Sequence, residues 1–279
     1  GAYTKPIYGV IGKDLAYINE GIRKGGVYNF NEAVTFNTSN NKVDAGPWMG
    51  TQIGGAIFAH GNLQNAEEVH KTTINLNGNA LNITDVTEGA SASIAAIDRG
   101  IVELNDAGKI NINQTGYGMT AGIFANGGGE VYIHNTGDNV VTIRSSAASE
   151  GASENYTKSG VGIKAMNGDK DTRSKIVIDG LVDVVADATK YSNEAISAVA
   201  GTIEVGGGKI EAINGAWAAI RAYGEFVSTN TSVVNVNVVK QTDKDGNVIK
   251  DAQDTNIDLI AGAGNNKTNI LGDFVTNGG

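Results

Sequence analysis

Residues Ala195 to Ala212 read A-I-S-A-V-A-G-T-I-E-V-G-G-G-K-I-E-A, and this stretch decides the fold. It holds three short segments: Ile196-Ser197-Ala198, Ile203-Glu204-Val205 and Ile210-Glu211-Ala212. In each, apolar residues flank one polar residue, the period-two alternation of a strand with one buried face. Glycine separates the segments, at Gly201 and at Gly206-Gly207-Gly208, where the chain can turn corners that other residues resist. Strands this short cannot bury a core alone, so the unit needs copies of itself to stack on.

The copies are present. Ile57-Phe58-Ala59, Ile97-Asp98-Arg99, Ile123-Phe124-Ala125, Ile163-Lys164-Ala165 and Ile220-Arg221-Ala222 open the same series, with Leu259-Ile260-Ala261 as a weaker last copy. Ile196 and Ile220 stand 24 residues apart, which fits one coil of a β-solenoid, and the wider spacings fit a coil plus an insertion. The pattern predicts that Ile97, Ile123, Ile163 and Ile196 stack in one inward line. Second strands follow at Ile74-Asn75-Leu76, Val102-Glu103-Leu104, Val131-Tyr132-Ile133, Ile176-Val177-Ile178 and Phe226-Val227. Third strands would turn Asn82, Asn111, Thr142, Asp183, Glu211 and Asn237 to water and their apolar neighbours to a continuous core. The long connections after the third strands, 144–160 and 240–255 above all, fall at one corner of the column.

Composition agrees. The 279 residues include 39 glycines and 31 asparagines, both tolerant of tight corners, and only 2 prolines. A hydrophobic share of 41% is too high for a disordered chain. A formal net charge of −9 argues against nucleic acid or an anionic membrane as ligand, since both call for basic patches. With no cysteine, disulfides and thiol chemistry are excluded. No apolar run is long enough to span a membrane, and Gly1 opens without a signal peptide's basic and apolar regions.

Residues 1–26 differ from the rest. Leu15, Ile18 and Ile22 lie at helical spacing between Lys13 and Lys24, so this segment reads as a short helical cap over the open end of the solenoid. Residues 27–279 form the solenoid, and the abrupt end at Thr276-Asn277-Gly278-Gly279 reads as a truncated C-terminus.

The rungs, for example Gly122-Ile123-Phe124-Ala125 through Glu130-Val131-Tyr132-Ile133, resemble the passenger domain of a monomeric type V autotransporter of a diderm bacterium. The likeness covers about residues 27–279, and the absent cysteine and Asn/Gly/Thr-rich corners match it. It implies an all-β fold, a right-handed parallel β-helix, displayed outside the cell at the outer-membrane surface. The function it implies is that of an adhesin whose loops bind a host or bacterial surface protein or glycan, or a copy on another cell. Its membrane link would be a barrel domain that this chain lacks. No cofactor is implied.

Two alternatives share the fold, a polysaccharide lyase or hydrolase and a structural stalk. The enzyme would need carboxylates on neighbouring rungs. The outward residues of the first strands are Phe58, Asp98, Phe124, Lys164, Ser197 and Arg221, with one acid among them. Glu103 and Glu204 are about three rungs apart, so the expectation is a non-enzyme. As binding residues, Phe58 and Phe124 flanking Asp98 could grip a sugar or a peptide side chain. The competing reading, favoured by the need to pack the large insertions, buries both rings under one of them. Tyr156 in the 144–160 loop, and Asp243 and Asp245 beside an Asp-Gly hairpin turn, complete the candidate binding set. Asp243 and Asp245 lack the remaining ligands of a calcium loop. The three histidines, His60, His70 and His134, lack metal-ligand spacing.

Overall fold

The computed structural model describes residues 7–10, 25–39, 55–61, 71–87, 91–116, 120–147, 160–166, 173–188, 194–213, 218–236, 241–242, 245–250, 257–262 and 267–277. All regular structure among them is β. Strands β1 (Ile7–Val10), β2 (Gly26–Asn29) and β3 (Val34–Ser39) begin the column. Rung one is β4 (Ile57–His60), β5 (Lys71–Asn75) and β6 (Leu81–Thr87), and rung two is β7 (Ser91–Ile97), β8 (Ile101–Ala107) and β9 (Ile110–Gly116). Rung three is β10 (Thr120–Asn126), β11 (Glu130–Asn135) and β12 (Val141–Ala147), and rung four is β13 (Gly160–Met166), β14 (Ser174–Ile178) and β15 (Val182–Ala188). Rung five is β16 (Ile196–Ala198), β17 (Gly201–Val205) and β18 (Gly208–Ile213). In rung six, β19 (Ala218–Ala222) precedes β20 (Glu225–Val236), which runs through both remaining positions. A hairpin of β21 (Gln241–Thr242) and β22 (Val248–Lys250) leads to β23 (Ile257–Ala261) and β24 (Lys267–Asn277).

Every ladder of the column is parallel, and each strand pairs with its counterparts one rung below and above. The molecule is a parallel β-solenoid. First strands form a 7-stranded sheet, and β20 joins the second- and third-strand ladders into one 15-stranded sheet. Between the sheets runs one apolar core, from Tyr28 and Phe36 through the rung isoleucines to Phe226. Parallel pairing on both sides suits the β-branched residues that fill it. Glycine is required where successive rungs touch at the corner between first and second strands. A Cβ at Gly100 would lie 2.2 Å from the Ala59 carbonyl oxygen, and one at Gly129 2.0 Å from that of Ala96.

The register corrects the expected stacking line. Ile123 pairs with Ile94 and with Ile163, and Ile57 pairs with Ile94, so the line is Ile57, Ile94, Ile123, Ile163, Ile196, Ile220 and Leu259. Ile97 pairs instead with His60 and Asn126 and packs in a separate cluster on the outer face of the smaller sheet. Ile97 is three positions on from Ile94, and an odd offset puts a side chain on the opposite face.

Two other corrections are even and keep the faces. Ile74 stacks on Leu104 rather than Val102, and Ile210 on Val184 rather than Val182, so Glu211 still points outward. In rung six the third position is taken by Thr231–Val236, and Val233 rather than Val236 follows Ile210, a shift of three that, like that of Ile97, is odd. Asn237, like the proposed helix over Lys13–Lys24, lies outside the described residues; within 1–26, Ile7–Val10 adds a parallel strand below β2.

Third strands run further than their sequence pattern suggests, to Thr87, Gly116 and Ala147, which confines the 144–160 insertion to 148–159. Ends of third strands and starts of the following first strands line up along one edge of the column. Connections 88–90, 117–119, 148–159, 189–195, 214–217 and 237–256 therefore all start and finish there.

One inner column is polar. Thr38, Asp85, Gln114 and Ser145 occupy equivalent places in β3, β6, β9 and β12, each at most 2% exposed, before Ala186 and Ala212 take over. Thr38 Oγ1 donates to Asp85 Oδ1 at 3.0 Å, Ser93 Oγ to Asp85 Oδ2 at 3.3 Å, and Ser145 Oγ to Gln114 Oε1 at 3.1 Å. Satisfied in this way, the polar groups can sit inside an apolar column.

Candidate functional site on the outer faces of the column

The expected Phe58–Asp98–Phe124 stripe does not form. Ala95, not Asp98, pairs with both phenylalanines, and the rings are 1% and 2% exposed in an apolar cluster with Ala92, Ile97, Ala121 and Val161. Asp98 stands beyond the end of β7, in a turn where Asp98 and Arg99 both take positive φ, 51° and 66°. Gly127 and Gly128 do the same one rung up, at 60° and 79°. The carboxylate is 7% exposed, and its Oδ2 lies 3.0 Å from His60 Nε2. Asp98 is thus a corner residue tied to the rung below. Asp245 is exposed beside Gly246 in the hairpin turn, whereas Tyr156 and Asp243 lie outside the described residues.

A larger polar constellation lies on the outer face of the second strands. Alternation there turns Glu103, Tyr132, Val177 and Glu204 outward in one column, so Glu103 and Glu204 are three rungs apart as expected. Lys71, Ile101, Glu130 and Lys175 form the column beside it. Lys71 Nζ lies 2.7 Å from Glu103 Oε2, and His134 reaches Glu103 Oε1 at 3.9 Å and Asp179 Oδ2 at 2.5 Å. Tyr132 donates to Glu130 Oε1 at 2.7 Å. The side chains of His134 and Asp179 are 42% and 52% exposed, so this face is wet.

The hydrogen bond from Lys71 holds the Glu103 carboxyl below its ordinary range, against partial burial that pushes it up. Burial, the bond to Glu130 and the two nearby carboxylates push the Tyr132 phenol well above its ordinary range. At neutral pH the site therefore offers an ionised Glu103 beside a phenol whose proton is held by Glu130, so both can accept from hydroxyls. Glu130 is the residue that the sequence reading missed. It stands two before Tyr132, and alternation alone puts both on one face. Carboxylates on neighbouring rungs are thus present on this sheet, although the first strands offer none. Among the described residues, no three His, Cys, Asp or Glu side chains converge to hold a metal ion.

Ladders of amides flank the constellation. Asn75 donates to Asn29 at 2.8 Å, Asn105 to Asn75 at 3.1 Å and, on the third strands, Asn111 to Asn82 at 2.9 Å. Each ladder repeats one side chain at the rung spacing, so the outer face is regular as well as polar. Comparison with protein-family models, with curated proteins and with solved structures finds no match to this chain.

Proposed function

We propose that the chain is a surface-displayed adhesin, the passenger of an autotransporter of a diderm bacterium, which binds a host or bacterial surface protein or glycan. The observation that carries this reading is the single edge along which the third-to-first connections begin and end. Their lengths vary from three residues at 88–90 to twenty at 237–256, while the strands they join keep register. Recognition segments on a rigid scaffold can vary without disturbing the core, which suits a protein that must hold a partner. The test replaces residues 149–158 by a short Gly/Ser linker, leaving β12 and β13 whole. Thermal stability should hardly move and cell binding should fall. A folded variant that adheres as well as the parent removes this segment from the binding surface.

An enzyme acting on a polysaccharide is the second reading, favoured by Glu103 and Glu130 on neighbouring rungs with Tyr132 between them. The adhesin reading expects no turnover of neutral or acidic polysaccharides. Turnover that Glu103→Gln or Glu130→Gln abolishes would replace it.

A further inference from the structure

The outer face of the second strands breaks its own pattern in rungs two to four. Outward columns run up this face side by side. One reads Lys71, Ile101, Glu130 and Lys175, and the next reads Thr73, Glu103, Tyr132 and Val177. Another begins as the Asn29–Asn75–Asn105 amide ladder and gives way to His134 and Asp179. Tyr132 and Val177 are in register on neighbouring rungs and both half-buried, so they make one apolar step in a polar face. The Tyr132 hydroxyl donates to Glu130, two residues back on the same strand. That bond ties the ring along β11 instead of letting it stand out from the sheet, and an aromatic side chain held this way offers a broad contact surface.

The rim decides what charge can lie on the step. Acidic and basic groups alternate around it: Lys71 bonds Glu103 at 2.7 Å, His134 bonds Asp179 at 2.5 Å, and Lys175 stands next to Glu130 in register. Neither sign dominates, so the patch draws neither a cationic peptide nor an acidic sugar. It is open to solvent, with Glu103 25% and Asp179 52% exposed. Hydrogen-bonding capacity remains after the pairs are made. Each carboxylate has a second oxygen, the phenol oxygen accepts, and the Lys175 ammonium has no ion pair among the described residues. A ligand that suits the patch is neutral, rich in hydroxyls and apolar on one flank.

We propose that this patch binds a neutral pyranose of a glycan chain, its C–H face on Tyr132 and Val177, its hydroxyls donating to Glu103 and Glu130 and accepting from Lys175. The inference goes beyond the adhesin reading, which places recognition on the third-to-first edge. It shares Glu103 and Glu130 with the enzyme reading but requires no bond to break.

The whole chain is titrated by calorimetry with maltohexaose, cellohexaose and chitohexaose, and with two charged probes, a galacturonate hexamer and a lysine hexapeptide. Saturable binding of at least one neutral oligomer is expected, and the one that binds identifies the linkage or the N-acetyl group that the patch takes. Tyr132→Ala should weaken it by about tenfold or more, and Tyr132→Phe, which keeps the ring, by less than about threefold. If Tyr132→Ala does not fold, Val177→Arg, which lays a long charged side chain over the step, should abolish binding in its place. The variant with residues 149–158 replaced should bind the sugar as the parent does. A loss of adhesion in that variant therefore leaves this inference standing, and a failure of sugar binding leaves the loop reading standing. No saturation with any neutral oligomer would overturn the proposal. So would equal affinities of the parent and Tyr132→Ala or Val177→Arg, or tighter binding of either charged probe.

Discussion

Asn126 gives the sharpest test of the packing described above. It is 0% exposed, on the outer face of β10, with Ile97 below it and Met166 above it in register. Among the described residues, neither its Oδ1 nor its Nδ2 has a hydrogen-bond partner. Its backbone is occupied separately, since its carbonyl accepts from the Asp98 and Gly129 N–H groups at 3.0 and 3.1 Å. Leucine keeps the branching and leaves those bonds alone. The change removes an unsatisfied buried amide, worth about 1–3 kcal/mol, and adds apolar burial worth about 1.5–3 kcal/mol. Overpacking by the larger side chain costs about 1–3 kcal/mol, because the cluster of Phe58, Ala95, Ile97 and Phe124 is already closed. Asn126→Leu should therefore stabilise the protein by roughly 1–3 kcal/mol net, where most buried substitutions destabilise. Urea unfolding followed by far-UV circular dichroism measures the midpoint. Hydrogen exchange in β7, β10 and β13 then shows whether the gain is local, as neighbour-only contacts in a stacked column require. A loss of 1 kcal/mol or more would refute the reasoning, because it would mean that the amide is paired in solution.

Two further substitutions test the corners and the inner polar column. At Arg99, with φ at 66°, glycine relieves a left-handed conformation that costs other residues about 1–2 kcal/mol, so Arg99→Gly should be more stable than Arg99→Ala by about 1 kcal/mol in the same urea assay. The reverse order, usual inside strands, would mean that this corner relaxes in solution. Asp85→Asn can keep the contacts to Thr38 and Ser93, one with donor and acceptor exchanged, and should change stability by less than about 1 kcal/mol. Asp85→Val strands two buried hydroxyls and should cost about 2–4 kcal/mol, so equal midpoints for the two variants would count against the hydrogen-bonded column.

Much of the fold was legible because the alternation repeats. The second strands from Val102 to Phe226 stack as the pattern placed them. Misplacements of Ile74 and Ile210 by two residues left every side chain on its proper face. The shift at Ile97 was three, and it carried Asp98 out of the strand altogether. Both Ile94 and Ile97 fit an apolar frame, but only Ile94 is followed two residues later by alanine. The inner column behind the rung isoleucines is Ala59, Ala96, Ala125, Ala165, Ala198 and Ala222, each 0% exposed. Arg99 has no place in that column. The small residue, more than the isoleucine, sets the register.

Alternation says which way a side chain points, but not whether water is there. On the second strands, outward means wet, and the Glu103–His134–Asp179 chain is a solvated network of the kind worth about 0–1 kcal/mol per pair. On the smaller sheet, outward means covered: Phe58, Ala95, Phe124 and Ser197 are 0–2% exposed. The Phe58–Asp98–Phe124 stripe failed as a site for this reason as well as for its register. The same burial changes the weight of each polar residue on that face. Charges on the wet sheet are met in water, whereas Arg221 is met by Glu194, which is 5% exposed. An asparagine on the third strands can ladder to its neighbour, whereas Asn126 faces isoleucine and methionine. Polar residues are rarest and most costly on the covered face, so the chemistry specific to this chain is better sought there than along the regular wet ladders, which any solenoid of this composition could carry.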